Sequence, residues 1–268
     1  MYQFDYHKPV SVDAAIQLMN EAEDGKFIAG GQTMLPTMKH RLASPSDLID
    51  LGKIDGLQQI LVDSESVTIG AMTTHAAVAS SAEIKEAIPA LAALAGNIGD
   101  PAVRNRGTLG GSIANNDPAA DYPAALIALD AIVQTNSREI PAEEFFTGMF
   151  ETALEEDEII VRVRFARPVK ASYQKFANPA SRYAIAGVFV ALFAAGIRIG
   201  VTGATAVAHR GLRLESALAD EQQPAAIADA LRAVELPIEK MNNDIHATAE
   251  YRADLVKVLT RKAVLACQ

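Results

Sequence analysis

Two glycine pairs, 80 residues apart, limit what this chain can become. Residues 26–41 read KFIAGGQTMLPTMKHR: a short apolar run, then Gly30 and Gly31, a polar pair and a helix-forming stretch. Residues 107–116 have the same character, GTLGGSIANN, and run on into DPAADYP. Glycine has no Cβ and tolerates positive φ, so successive backbone N–H groups can converge on an anion that a side chain would block. A helix start just behind such a loop adds unpaired N–H groups and a partial positive charge. Near that charge an anion gains about 0.3–1 kcal/mol. Gln32, Thr33, Thr108 and Ser112 add side-chain donors. Two such loops suit a diphosphate, and so a dinucleotide, better than a lone phosphate. Ordinary tight turns are the other meaning of the same residues. Neither G-x-G-x-x-G after the first strand nor G-x-x-x-x-G-K-[ST] occurs, which argues against Rossmann and P-loop sites.

The rest of the composition narrows the class. At 268 residues, half of them apolar, the chain can bury a sizeable core in one large domain or two modest ones. Its net charge is −9 and it has no Lys/Arg-dense block, so nucleic acid is not an expected partner. The N-terminal residues lack a basic start and an apolar core, so no signal peptide is expected and a cytoplasmic location is. No run of about 18 apolar residues occurs, so no membrane span is expected. The one cysteine, Cys267, cannot form an internal disulfide, and it cannot supply the Cys ligands an iron–sulfur cluster needs. It reads as a frayed terminal residue. The five His residues are dispersed, with no H-E-x-x-H pair, so no metal site is expected.

Along the chain, Ser11 reads as an N-cap. Val12, Ala15, Ile16 and Met19 follow at helical spacing, and Gly25 closes that helix. Strands are expected over 26–29, 47–51, 57–61 and 66–70. Thr33 is a candidate cap for the next helix and Pro36 fits its first turn. Thr74 opens a helical segment. Residues 83–97 read as one Ala/Leu-rich helix, ended by Asp100 and Pro101. Asp117 and Pro118 read as N-cap and first residue of a helix carrying Ala124, Leu126, Ile127 and Leu129. Strands follow over 131–135 and, after the acidic run 155–158, over 159–165. Pro168 marks a domain boundary. Beyond it, strands over 173–176, 185–193 and 197–206 alternate weakly, as strands buried on both faces do. Pro224 opens a helix with Ile227, Leu231 and Val234 on one face. The last helix, 248–266, puts Tyr251, Leu255 and Val258 on one side. Helices and strands mix without strict βαβ alternation, which makes the class α+β.

AGGQT at 29–33 with Met38 and Lys39, TLGGSIANNDPAADYP at 108–123, KFANPASRYAIAGV at 175–188 and GVTGATAV at 200–207 together resemble one family. It is the FAD-binding medium subunit of molybdenum hydroxylases of the carbon monoxide dehydrogenase and xanthine dehydrogenase type, and the resemblance covers nearly the whole chain. It implies a vanillyl-alcohol-oxidase (PCMH)-type FAD fold over residues 1–168, in subdomains of about 1–52 and 53–168. A smaller C-terminal α+β domain over 169–268 completes the chain. It further implies that Ala29, Gly30, Gly31, Gln32, Thr33 and Met34, with Thr108, Leu109, Gly110, Gly111 and Ser112, wrap the FAD diphosphate. Ile98 and Ala102 would be apolar neighbours of the cofactor, Asn115 would reach the ribityl chain, Asp121 would be an acidic contact, and Lys175 and Tyr183 would lie in the third motif. Tyr183 would pack near the isoalloxazine ring, and His75 occupies a family position near the cofactor. Ser112 stands where many relatives carry Asn. From the residues alone, Tyr183 also reads as a half-buried tyrosine, Asp121 as a first-turn helix acid, Lys175 as a solvated surface lysine, and His75 as a turn or capping histidine.

The function so implied is an FAD-carrying electron-transfer subunit, and no Ser-His-Asp, Cys-His or paired-carboxylate signature competes with it. With one cysteine, the [2Fe–2S] clusters would sit on a separate small subunit and the molybdopterin on a large one, in a heterotrimer or a dimer of heterotrimers. An external electron acceptor completes the expected partners. A stand-alone flavin oxidoreductase would instead turn over alone, and a non-enzymatic module would bind no cofactor. A Rossmann NAD enzyme would need a parallel sheet and an acidic ribose partner about 20 residues past its glycines.

Overall fold

The computed structural model describes residues 1–219 and 223–268. The chain opens with β1 (Asp5–His7), α1 (Val12–Glu21), β2 (Gly25–Ile28), α2 (Met34–Lys39) and β3 (Asp47–Asp50). The three strands form a parallel sheet in the order β1-β3-β2. Parallel neighbours need a crossover, which α1 and α2 supply. Ser11 caps α1 as its sequence suggests: Oγ accepts from the N–H of Ala14 at 3.2 Å. Gly25 does not close that helix. The Ala22 N–H already caps it on the Leu18 and Met19 carbonyls, and Gly25 starts β2, where a β-carbon would meet the Met19 sulfur at 2.7 Å.

The next stretch holds β4 (Ile60–Val62), β5 (Ser66–Gly70), α3 (His75–Ser80), α4 (Ala82–Ala87), α5 (Pro89–Gly96), α6 (Pro101–Arg106), α7 (Leu109–Asn115), α8 (Tyr122–Ala128), β6 (Ile132–Thr135), β7 (Glu139–Pro141), α9 (Ala142–Phe145), the hairpin β8 (Phe146–Gly148) and β9 (Glu151–Thr152), and β10 (Ile160–Ala166). An antiparallel sheet runs β4-β5-β10-β6-β7. Three local expectations give way here. The single helix over 83–97 is split at Ile88, whose φ of −142° and ψ of 75° leave the helical region, because Pro89 crowds the residue before it. Asp117 and Pro118 do not start α8. Asp117 Oδ1 accepts from Ala119 N–H at 2.9 Å to close a turn, and α8 begins four residues later, behind Asp121. The strand expected over 57–61 shrinks to β4, since the Leu57 carbonyl is taken by Met72 N–H at 2.7 Å.

The remainder forms an antiparallel sheet, β11 (Lys170–Ala177), β12 (Ala184–Phe193), β13 (Gly196–Thr202) and β14 (His209–Arg210), then α10 (Leu212–Leu218), α11 (Pro224–Ala233) and α12 (Ala249–Ala266). The first eight residues of β12 are all buried. Val188 and Val190 face a core shared with α10, α11 and α12, while Phe189 and Ala191 join the core around α8. Burial on both faces explains the weak alternation. Leu255 shares the buried side of α12 with Arg252, Val256, Leu259 and Ala263, whereas Tyr251 and Val258 are about half exposed, so of 251, 255 and 258 only Leu255 joins the core. Cys267 is buried rather than frayed, and burial pushes its thiol up to about 11 against the pull of Lys170. The molecule is α+β, and among the described residues no helix is long and apolar enough to cross a membrane.

Candidate functional site

A cleft of about 1140 Å³ is lined by β2 and the loop after it, by segments within 98–121 and 152–160, and by the loop between β11 and β12. That exceeds the roughly 300–1,000 Å³ of a site for a drug-sized ligand and suits a long, extended one. Both glycine loops line it.

The first loop leaves the buried end of β2 and turns through Gly31, whose φ of +71° favours glycine. Among the described residues no acceptor takes the N–H of Gly31, Gln32 or Thr33. Thr33 stands at the N-cap position of α2 without making a side-chain cap, so its hydroxyl is also uncommitted. This loop therefore presents donors to the cleft, as an anion nest does. The second loop differs from the sequence expectation. Leu109 N–H donates to the Thr73 carbonyl at 3.0 Å, Gly110 N–H to Ala71 at 2.8 Å, and Ser112 N–H to Thr108 at 3.0 Å. Gly111 N–H takes the Thr108 hydroxyl oxygen at 3.1 Å. These donors hold the fold together, and the glycines act through shape. A β-carbon on Gly110 would meet the Ala71 β-carbon at 2.6 Å, and one on Gly111 would meet the Thr108 hydroxyl oxygen at 2.9 Å. What this side offers a ligand is the Ser112 hydroxyl and the Asn115 amide, both lining the cleft.

His75 lines the same cleft from the first turn of α3. Thr74, not His75, makes the cap, its hydroxyl oxygen accepting from Ala77 N–H at 3.2 Å. The imidazole is buried against Gly107 and tilts across the Tyr122 ring with centroids 5.4 Å apart. Burial, and then the nearby Arg104 charge, lower its pKa to about 4, so it is neutral at neutral pH. Its Nδ1 has no partner among the described residues.

Ile98 lines the cleft within a turn that Arg104 holds, its Nη1 donating to the Ile98 and Gly99 carbonyls at 3.0 and 3.3 Å. Asp121 lines it from the start of α8. Its carboxylate accepts from the Tyr173 hydroxyl at 2.5 Å and from Lys175 Nζ at 3.1 Å. Burial pushes that carboxyl up against the opposing pull of Lys175 and Tyr173. Tyr183 is about half exposed and lines the cleft from a loop held by Asn178, whose Oδ1 accepts from Ala180 and Ser181 N–H groups.

The cleft thus gathers Ala29, Gly30, Gly31, Gln32, Thr33, Met34, His75, Ile98, Thr108, Gly110, Gly111, Ser112, Asn115, Asp121 and Tyr183. Three candidates lie outside its lining. Leu109 is fully buried in the core, and Ala102 is exposed on α6, where its neighbours Gly99, Asp100 and Val103 line the cleft instead. Lys175 is neither a surface lysine nor a lining residue: its side chain is 7 % exposed and turned to Asp121. Sequence reasoning missed Lys26 and the acidic run 155–158 as lining residues. That run is visible in the sequence, but nothing local says which surface it meets. Among the described residues no group of three or more His, Cys, Asp or Glu side chains is placed to hold a metal.

The donors and dimensions of this cleft fit FAD. Uncommitted N–H groups of Gly31, Gln32 and Thr33 belong to lining residues, the lining also carries hydroxyl and amide groups, and Tyr183 adds an aromatic side chain. Comparisons with known proteins agree. Residues 2–168 match the family described as the FAD binding domain in molybdopterin dehydrogenase, and residues 171–267 match the CO dehydrogenase flavoprotein C-terminal domain. The chain is 37% identical to the nicotine 6-hydroxylase medium subunit of Paenarthrobacter nicotinovorans, over 97% of this chain and 95% of that one. It is also 37% identical to the carbon monoxide dehydrogenase medium chain of Hydrogenophaga pseudoflava, over 98% and 96%. Carbon monoxide dehydrogenase from Hydrogenophaga pseudoflava superposes with a TM-score of 0.90 at 35% identity, over 99% of this chain and 97% of that one. Quinoline 2-oxidoreductase from Pseudomonas putida 86 does so with 0.91 at 30% identity, over 99% and 97%. The chain belongs to the FAD-binding medium subunits of the carbon monoxide dehydrogenase and xanthine dehydrogenase type of molybdenum hydroxylase, and is an oxidoreductase subunit whose cofactor is FAD.

Proposed function

We propose that this chain is the electron-output subunit of a three-chain molybdenum hydroxylase. FAD, when bound, supplies the redox chemistry that links [2Fe–2S] clusters on a small partner chain, fed by molybdopterin on a large one, to an external acceptor. The chain's own work is binding and orientation. The N–H groups of Gly31, Gln32 and Thr33 would hold the diphosphate, with Ser112 and Asn115 as flanking donors. Neutral His75 would keep a second positive charge away from the cleft wall, and Tyr183 would cover the ring system at the rim. Residues 1–168 would act as the FAD-binding domain and 169–268 as the domain that completes the cleft. A cytoplasmic assembly is part of the same proposal.

One observation carries it most: the cleft lining holds N–H donors with no acceptor among the described residues, suited to an anion, while the single, buried cysteine means that a partner would have to hold the clusters. Co-expression with iron–sulfur and molybdenum chains, followed by rapid-mixing spectroscopy, tests it. The FAD absorbance should bleach on substrate addition only when all three chains are present. Turnover by the isolated chain would favour the stand-alone flavin oxidoreductase instead.

A further inference from the structure

Asn97 adjoins the cleft-lining residues Ile98 and Gly99, Asp121 lines the cleft itself, and one ammonium group holds both. Lys175 Nζ lies 3.0 Å from Oδ1 and 3.1 Å from Oδ2 of Asp121, and donates to the Asn97 carbonyl at 3.0 Å. Asp121 ends the segment 117–121. The C-terminal sheet registers that segment throughout. Gly203 N–H donates to the Pro118 carbonyl at 2.9 Å, Ala184 N–H to Ala119 at 3.3 Å, and the Thr202 hydroxyl to Ala120 at 2.6 Å. Tyr173 and Lys175 of β11 then take the Asp121 carboxylate itself.

We infer that Lys175 is a positioning residue of the FAD site: paired with Asp121 and bonded to the Asn97 carbonyl, it sets the spacing of these two parts of the cleft without touching the cofactor. This rests on FAD occupying the cleft. Removing the ammonium would strand a buried carboxylate, which costs far more than a lost surface pair. The carboxylate would then take up a proton, and the cleft would become sensitive to pH. The groups facing it are Tyr173 and Lys175 from β11, Tyr122 beside it on α8 and Tyr183 from the loop after β11. Of these only Lys175 can neutralise it.

The test titrates FAD into the full chain, followed by flavin fluorescence, from about pH 5 to 9. The wild type should bind with little pH dependence. Lys175→Met should bind about tenfold or more weakly at the alkaline end and recover as the pH falls. Lys175→Met with Asp121→Asn should lose that pH dependence and bind between the two, because the stranded charge is gone while the tie to Asn97 is still missing. Should Lys175→Met fail to fold, the double variant carries the test, and wild-type affinity in it overturns the inference. So does a Lys175→Met affinity within about twofold of wild type at every pH, or a loss that is uniform in pH and unrelieved by Asp121→Asn. A wild-type chain that binds no FAD would tell against the cofactor assignment, a separate failure.

Discussion

Gly30 packs so closely on Arg106 that a β-carbon at Gly30 would stand 2.1 Å from the Arg106 carbonyl oxygen. The obstacle is backbone, which cannot swing aside as the tip of a side chain can. It is also the backbone that leads into the second glycine loop, so this contact fixes the distance between the loops. Gly30→Ala is expected to force them apart, at about 1–3 kcal/mol of stability, and to weaken FAD binding by about tenfold or more. Gly56→Ala is the control: its φ is +83°, with nothing within 4 Å of the added carbon and no place in the cleft lining. It should lower the melting temperature and leave FAD affinity alone. Equal FAD affinity in Gly30→Ala and wild type would show that the contact does not shape the site.

His75 should titrate well below an ordinary imidazole, with a midpoint of about 4 in the folded chain. Its folded pKa lies below its unfolded one, so the unfolded chain binds the proton first as the pH falls. The stability tied to a neutral His75 is therefore complete above about 6.5 and is lost between there and about 4. A ring proton followed by NMR gives the midpoint directly. His75→Phe has no proton to take, so its unfolding free energy should fall less than that of the wild type across that window. A midpoint near 6.5 for the native ring would mean that the imidazole is far better solvated than its place between Gly107 and Tyr122 implies.

Both outcomes depend on placements that the sequence discloses unevenly. Caps are local, so Ser11 and Thr74 are legible, each side-chain oxygen accepting from an N–H three residues on, although Thr33, with the same local signal, makes no cap. The glycine loops are legible too, because a glycine pair beside hydroxyl residues is visible by composition. Which loop keeps its N–H groups is not, since Leu109 and Gly110 spend theirs on Thr73 and Ala71, residues that only the folded chain brings near. The same limit hides the Asp121–Lys175 pair, 54 residues apart. It also explains Asp117 and Pro118, a good local cap signal overridden by bonds from β12 and β13 to residues 118–120. Cys267 looks terminal and free, yet the packing of α12 on its sheet buries it.

Arg198 ties β13 to the elements beneath it. Its Nη2 reaches Glu143 on α9 at 2.7 Å, Asp130 at 2.9 Å and the Ile127 carbonyl of α8 at 3.1 Å. Its side chain is 16 % exposed, but Glu143 and Asp130 are 44 % and 66 % exposed, so solvent screens the pairs. Arg198→Met is expected to cost about 1–2 kcal/mol. The deficit should shrink in high salt, which already weakens the wild-type pairs, and the spectrum of bound FAD should stay unchanged. Thermal unfolding at two ionic strengths measures this. A deficit that ignores salt would point to lost packing of the arginine stem.

Glu158 should be the main acid-labile staple near the cleft. Its Oε1 accepts from the Thr135 hydroxyl at 2.7 Å, the Ser137 hydroxyl at 2.8 Å and Arg138 Nε at 2.9 Å, and its Oε2 from Arg138 Nη2 at 2.9 Å and Glu155 N–H at 3.1 Å. The Arg138 guanidinium first, with the hydroxyl and backbone donors, lowers its pKa to about 2 against the opposing effect of burial. A folded pKa below the unfolded one means the carboxylate stabilises the chain fully above about 4.5 and loses that contribution as the pH falls toward about 2. Glu158→Gln keeps the shape and one acceptor but removes the charge. It should be less stable than wild type at neutral pH, and the gap should close between about pH 4.5 and 2 as the native carboxylate protonates. Because Glu158 also lines the cleft, loosening the turn at 155–158 should weaken FAD binding in the variant at neutral pH. Denaturant unfolding across that range, paired with one FAD titration at neutral pH, decides the matter. A gap that stays constant with pH would show that the hydrogen bonds, and not the charge, hold this corner of the cleft.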